Sequence, residues 1–172
     1  DWSYANAYLN MEYRGGTCDN TDIQDKEAGI YALFGFLALY DLTQDPHWLE
    51  GATGAADYTE TWTYAWSFPV HTPWPKHPFN QYSISGQSII TIGGGADVYM
   101  AACSYTYYRL YLLTGDAHYL DFAQFIHKNT RQSNDIDGTS GYIMPGLGHE
   151  SGNFSSQKLG SQYHWLPWCT FV

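Results

Sequence analysis

The chain has 172 residues, a formal net charge of −10 and only seven lysines and arginines. This acidity argues against a nucleic-acid-binding protein, and no apolar run is long enough to span a membrane. Three cysteines are too few for a full disulfide framework, so the compartment stays open, with an extracellular or periplasmic location favoured over the cytoplasm.

Four acidic residues precede or open the first predicted helix. They are Asp19, Asp22, Asp25 and Glu27, within residues 15–29. An acid at a helix N-terminus accepts hydrogen bonds from free N–H groups and opposes the helix dipole. We expect Asp22 or Asp25 to be this cap and keep Asp22, Asp25 and Glu27 as candidate functional residues.

A helical hairpin is predicted over residues 28–62. Its first helix, residues 28–42, is apolar almost all round and is therefore expected to be a buried inner helix. Its turn is Thr43-Gln44-Asp45, with Asp45 as N-cap and Pro46 at the first helical position. The second helix has one apolar stripe, while Glu50, Asp57 and Glu60 face away from it, so we expect it to be an outer, half-exposed helix. The stripe is formed by Trp48, Leu49, Ala52, Ala56, Thr59 and Trp62.

The loop after this hairpin is rich in aromatic residues, histidine and proline. Tyr and Trp rings combine a flat apolar face with a hydrogen-bonding edge, which suits contact with sugar rings. The loop supplies our candidate substrate-binding residues Trp74, Tyr82, His71 and His77. The loop ends in glycines before Asp97, which we interpret as a helix cap or a functional acid.

The hairpin is duplicated. Residues 39–49 return as residues 110–120, an offset of 71 residues, with a second turn at Thr114-Gly115-Asp116 and Asp116 as its cap. The repeat units are predicted to span about 26–96 and 97–167. His47 and His118 recur with the repeat and are therefore interpreted as structural.

The second long loop, about residues 132–167, holds further candidates. His149 and Trp165 are assigned to substrate binding and Glu150 to catalysis. The Asp135-Ile136-Asp137-Gly138 segment resembles part of a calcium loop but lacks the later glutamate. No zinc-ligand spacing is present, so no metal and no cofactor is predicted.

The hairpin motif Leu39-Tyr40-x-Leu42-Thr43-x-Asp45-Pro46-x-Trp48-Leu49, with Ala55-Ala56-Asp57-Tyr58-x-x-Thr61-Trp62 after it, resembles the repeated hairpin of six-hairpin, (α/α)-barrel glycosidase-like proteins. The resemblance spans about residues 18–131. It implies an all-α ring of inner and outer helices, with the substrate cleft at the N-terminal ends of the inner helices.

Only about two hairpins fit into the chain. A third inner helix is expected to begin near residue 168, so the sequence is interpreted as a single partial (α/α)-barrel domain, residues 1–172, of a longer (α/α)6 barrel. The alternative is a C-terminal segment docked as a cap. Because inner helices that are apolar all round need neighbours on both sides, we also expect an exposed apolar flank or self-association.

The leading functional hypothesis is a glycoside hydrolase that acts on an oligosaccharide or polysaccharide. Such enzymes use two carboxylates, here Asp22 or Asp25 with Asp97 or Glu150. The first alternative is a non-catalytic helical module that binds glycan or protein. The second is a polysaccharide lyase or sugar epimerase with a Tyr or His base, which the scarcity of arginine and lysine disfavours.

Overall fold

The computed structural model describes residues 2–15, 22–65, 88–89, 95–97, 99–130 and 151–153. Helices make up most of these residues, in agreement with the predicted all-α class. The helices are a π-helix Tyr4–Tyr8, α1 Lys26–Thr43, α2 Pro46–Glu60, a 3₁₀ helix Tyr99–Cys103, α3 Ser104–Thr114 and α4 Ala117–Thr130. Among these described helices, none is both long and apolar enough to cross a membrane.

Three short strands, which the sequence analysis did not predict, form an antiparallel sheet. They are β1 Ser88–Ile89, β2 Gly95–Asp97 and β3 Ser151–Asn153, with β2 in the centre. Asp97 pairs with Ser88 on one side and with Ser151 on the other. The glycine-rich segment before Asp97 therefore does not open a helix, because Asp97 itself lies in a strand and the 3₁₀ helix begins at Tyr99.

The chain divides into two compact units, Asp1–Trp62 and Thr63–Val172. The first contains the α1–α2 hairpin and the second contains the α3–α4 hairpin. The predicted repeat boundaries and the toroidal arrangement of hairpins stay predictions.

The two hairpin turns have the same hydrogen bonds, which confirms both predicted turns and both caps. The Thr hydroxyl donates to a carbonyl four residues earlier at 2.7 Å in each copy, from Thr43 and from Thr114. Asp45 accepts from the N–H of His47 at 3.0 Å, and Asp116 accepts from the N–H of His118 at 2.9 Å. Each bond joins residues at most four apart, so the local sequence is sufficient to specify the turn.

Packing in the first unit relies on small residues of α2. The predicted stripe is confirmed, since Ala52, Ala56 and Thr59 are buried while Asp57 is exposed. A Cβ atom at Gly29 of α1 would lie 2.5 Å from the Thr59 hydroxyl. The two helices therefore approach so closely that only glycine fits at this point.

The expectation that α1 is buried all round was wrong. Leu33 and Leu37 are buried, but Tyr31 is 64% exposed and Leu42 is 82% exposed. One side of α1 is thus covered and another is open. An exposed apolar flank, the first of the two expectations for such a helix, is therefore confirmed.

The second unit has its own apolar core. Its α3–α4 hairpin buries Tyr107, Leu110 and Ile126, and the 3₁₀ helix buries Met100 and Cys103. The recurring histidines lie among aromatic rings in both units: His47 lies 3.6 Å from Tyr4 between ring centroids, and His118 lies 6.2 Å from Phe122. These contacts agree with the structural role predicted for both histidines.

Candidate functional site

A short backbone ladder joins residues 13–15 to residues 23–25, directly before α1. The N–H of Gly15 donates to the carbonyl of Ile23 at 3.0 Å, and the N–H of Asp25 donates to the carbonyl of Tyr13 at 3.3 Å. Arg14 and Gln24 form the bridge between them. The ladder therefore holds Glu12 and Arg14 close to the first turn of α1.

Asp25 is the N-cap of α1, which confirms one of the two predicted caps. Its carboxylate accepts from the N–H of Ala28 at 3.0 Å, and its backbone carbonyl accepts from the Tyr58 hydroxyl at 3.2 Å. The residue is 0% exposed. Because a substrate cannot reach a fully buried carboxylate, Asp25 is better explained as a structural residue than as a catalytic one.

Other acids at this end of α1 are accessible. Asp22 is exposed, and Glu27 is partly exposed with its carboxylate 3.9 Å from the Lys26 ammonium. Glu12 is exposed and its carboxylate lies 3.3 Å from the Arg14 guanidinium. The N-terminal end of α1 thus has reachable carboxylates that could accept or donate a proton, of which Asp22 and Glu27 were predicted.

An open groove of about 710 Å³ runs between α1 and the N-terminal segment. Its lining is Trp2, Ser3, Asn6, Ala7, Asn10, Glu12, Tyr13, Arg14, Gly15, Ala28, Tyr31, Ala32, Gly35, Phe36 and Leu39. The groove lies wholly within the first unit. Its lining divides into two ends of different chemistry.

The direction of the N-terminal segment defines these two ends. Tyr4, in the π-helix, lies 6.2 Å from Phe36 between ring centroids, whereas Tyr13 is hydrogen-bonded to Asp25 at the start of α1. The polar end, with Asn10, Glu12 and Arg14, is therefore next to the N-terminus of α1. The apolar end, with Trp2, Gly35 and Leu39, is next to its C-terminal half.

The polar end combines groups that suit a sugar ring. Tyr31 presents an exposed ring on α1, and Arg14 and Glu12 offer donors and acceptors. The amide nitrogen of Asn10 donates to the carbonyl of Ala5 at 3.4 Å, which restrains that side chain. An aromatic face beside fixed polar groups is the usual composition of a site for polar, ring-shaped ligands.

Tyrosines next to the groove form a second cluster around Glu50 of α2. The Tyr8 hydroxyl donates to the Glu50 carboxylate at 3.0 Å. Burial raises the pKa of Tyr4 to about 12, and the hydrogen bond and negative charge of Glu50 add to the shift. Burial also raises the pKa of Tyr8 and of Tyr13. These hydroxyls therefore stay protonated at neutral pH, so they can donate and accept hydrogen bonds but do not act as bases.

Several predicted site residues lie outside the described residues. They are His71, Trp74, His77, Tyr82, His149, Glu150 and Trp165. Asp97 is described only through its backbone in β2, in the second unit, whereas Asp22 and Asp25 belong to the first. The proposed pairing of carboxylates across a cleft therefore stays a prediction. In the described part of the chain, no three His, Cys, Asp or Glu side chains come together as a metal site.

Glu12, Arg14 and Tyr31 were missed by the sequence analysis. Glu12 and Arg14 carry no motif, and the ladder that positions them joins residues ten apart in sequence. Tyr31 was missed because it lies in a helix that was expected to be buried.

No family model, curated protein or solved structure matches this chain. The assignment of a function therefore depends on the geometry of the first unit and on the resemblance of the hairpin motif.

Proposed function

We propose that this chain acts on carbohydrate as a glycoside hydrolase, with the polar end of the groove as part of its substrate-binding region. The observation that carries the proposal is the position of Tyr31. Its exposed ring shares one groove with the Glu12–Arg14 ion pair, beside the N-terminus of α1. The hairpin resemblance implies a substrate cleft at this end of an inner helix.

The charge at the polar end favours a neutral sugar. Glu12 and Arg14 compensate each other, and the chain as a whole carries a net charge of −10. An anionic uronide would be repelled by this overall charge at long range. Tyr31 would stack on the apolar face of a neutral pyranose, while Arg14 and Glu12 would hydrogen-bond its hydroxyls.

Asp22 is our candidate for a catalytic carboxylate from the first unit. Hydrolysis of a glycosidic bond requires one acid to protonate the leaving oxygen and a second carboxylate as base or nucleophile. Asp22 is exposed at the correct end of α1, whereas Asp25 is buried in the cap. Asp97 or Glu150 would provide the second carboxylate.

The test is a screen for release of reducing ends from neutral oligosaccharides and polysaccharides. Asp22→Asn is expected to reduce turnover by about 10²- to 10⁴-fold with little change in binding. Tyr31→Ala is expected to raise KM about fivefold to tenfold by loss of ring stacking. Leu42→Ala, which removes an exposed apolar side chain at the opposite end of α1, is the matched control and should change neither value.

Absence of product from every glycan, or unchanged turnover in Asp22→Asn, would contradict the hydrolase proposal. A non-catalytic glycan-binding module is the second candidate, because Asp25, one of the predicted catalytic acids, is buried in the cap of α1. Calorimetric titration with the same glycans separates the two. Binding that depends on Tyr31, without product, supports the binding module.

A further inference from the structure

The groove beside α1 is longer than the polar end that the proposed function uses. Its lining on α1 recurs at every third or fourth position, so it forms one continuous strip of the helix surface. This strip consists of Ala28, Tyr31, Ala32, Gly35, Phe36 and Leu39. Leu39 follows Tyr31 by eight residues, which corresponds to about 12 Å along the helix axis. A single sugar ring stacked on Tyr31 therefore does not reach Leu39.

The apolar end of the groove offers accessible apolar surface to a ligand. Leu39 is 36% exposed and Trp2 is 77% exposed. The charged residues of the described lining, Glu12 and Arg14, both belong to the polar end. A ligand group at the apolar end is therefore bound by the removal of apolar surface from water and not by ion pairs.

This end also has room for a ligand group. Gly35 is exposed, and a Cβ atom added there would meet no atom within 4 Å. Ser3 and Asn6 supply the polar side chains in this part of the lining. The amide nitrogen of Asn6 already donates to the carbonyl of Trp2 at 2.8 Å. The space next to Gly35 thus offers few hydrogen-bonding groups to a polar ligand.

From the two ends of this groove we propose that the ligand is an amphiphilic glycoside. Its neutral sugar binds at Tyr31, and an attached alkyl or aryl group lies along α1 towards Trp2 and Leu39. This inference rests on the proposed function, because the sugar site is the one assigned to the hydrolase. An apolar group has no hydroxyls that would lose hydrogen bonds to water in an apolar lining, whereas a second sugar ring has several.

The experiment measures dissociation constants of the full chain for methyl, butyl, hexyl and octyl glucosides. Titrations are followed by nuclear magnetic resonance, below the concentration at which octyl glucoside forms micelles. Each methylene group that leaves water should tighten binding about threefold. Because the groove is open and buries only part of the chain, octyl glucoside should bind at least about 30-fold more tightly than methyl glucoside.

Variants separate the two ends of the groove. Leu39→Asn and Trp2→Ala should lower the ratio of octyl to methyl affinity to about one third or less. Tyr31→Ala should weaken the binding of every glucoside by the same factor and so keep this ratio. Leu42→Asn is the matched control, because Leu42 is exposed on the same helix and does not line the groove.

A second variant keeps the test decisive if Leu39→Asn unfolds, which far-ultraviolet circular dichroism would detect. Gly35→Leu places a side chain in open space and removes no packed group. It should obstruct the apolar end and lower the same affinity ratio.

Three results would overturn the proposal. The affinity could be equal for all four glucosides. The ratio could stay unchanged in Leu39→Asn, Trp2→Ala and Gly35→Leu, which would show that the alkyl chain binds elsewhere. Glucose oligosaccharides of increasing length could gain more affinity than the alkyl series, which would assign the apolar end to further sugar rings.

The outcome is separable from that of the hydrolase proposal, because only binding is measured here. Glycan turnover without any dependence on alkyl length would reject the amphiphilic ligand alone. Dependence on alkyl length that is lost in Leu39→Asn, without turnover of any glycan, would reject the hydrolase and support the ligand class.

Discussion

Gln44 and Gly115 end α1 and α3 with the same left-handed backbone, at φ 56° and φ 75°, although only one of them is glycine. The N–H of each donates to a carbonyl four residues earlier at 2.8 Å, in Tyr40 and in Tyr111. Gln44 is stabilised in this conformation by its own side chain, whose amide donates to the carbonyls of Tyr40 and Asp41 at 3.1 and 3.2 Å.

Gly115→Ala is therefore expected to lower the free energy of unfolding by about 1 kcal/mol, because alanine is disfavoured at positive φ. Gln44→Gly should change it less, because the relief of backbone strain is offset by loss of the side-chain hydrogen bonds. Urea denaturation monitored by circular dichroism measures both. Equal stability of Gly115→Ala and the unmodified chain would contradict the expectation.

Two glycines of α1 are expected to respond in opposite ways to the same substitution. Gly29→Ala should lower the free energy of unfolding by about 1 to 3 kcal/mol, because the added methyl group would overlap Thr59 and Tyr58. Gly35→Ala is the control on the same helix. Its added methyl group meets no neighbouring atom and should raise the free energy of unfolding by about 0.5 to 1 kcal/mol, because alanine has a higher helix propensity than glycine. Denaturation curves of both variants give the comparison. If Gly35→Ala is less stable than the unmodified chain, the exposed side of α1 at Gly35 is covered in solution.

Asp25→Ala and Asp25→Asn separate a capping role from a catalytic role. Removal of the carboxylate in Asp25→Ala should lower the free energy of unfolding by about 1 kcal/mol or more, since the N–H of Ala28 loses its hydrogen-bond acceptor. Asparagine caps helices about as well as aspartate, so Asp25→Asn should keep stability close to that of the unmodified chain. If glycan turnover is found, Asp25→Asn should retain it; a loss of turnover without a loss of stability would return Asp25 to the catalytic candidates.

Stability is expected to fall as the solution becomes alkaline. Burial, with Glu50 adding to it, raises the pKa of Tyr4 to about 12, and burial is also the main cause of the raised pKa of Tyr8 and Tyr58. An unfolded tyrosine ionises near pH 10. Because the folded pKa is the higher one, the stabilisation is complete below about pH 10 and is lost as the pH rises towards 12.

Thermal melting between pH 8 and pH 12, together with tyrosinate absorbance, tests this pH dependence. Tyr4→Phe should remove one of the tyrosines with a raised pKa and leave the ionisation of the exposed tyrosines unchanged. Ionisation of all sixteen tyrosines in one step near pH 10, with the protein still folded, would contradict the expectation.

Cys103 is expected to react only when the second unit opens. The residue is 0% exposed, and burial raises the pKa of its thiol to about 12. Alkylation requires the thiolate, so iodoacetamide should modify Cys103 at least about 100-fold more slowly in the native chain than in urea. Peptide mapping by mass spectrometry identifies the modified cysteine. Rapid labelling of Cys103 in the native chain would mean that the reagent reaches the core of the second unit without unfolding.

The hairpin turns could be predicted because all their hydrogen bonds are local. Thr43, Asp45 and their counterparts bond to atoms no more than four residues away. The cap of α1 could be narrowed to Asp22 or Asp25 for the same reason. The choice between them required the ladder to Tyr13 and the contact with Tyr58, which is 33 residues from Asp25.

The candidate site could be predicted only in part. Asp22 was found because acids cluster before a helix, whereas Glu12 and Arg14 gave no signal. Their position beside α1 depends on the backbone pairing of Arg14 with Gln24. Neither segment by itself specifies the register of such a pairing.

The sequence by itself determined the two hairpins, their turns and their caps, because short-range hydrogen bonds and helix periodicity decide these features. Only the tertiary structure decided which flank of each inner helix is covered, since Leu33, Leu37 and Leu39 are equally apolar in the sequence. Burial depends on the neighbours that the fold provides, and these neighbours leave Leu39 open on α1 while they close its counterpart Leu110 on α3.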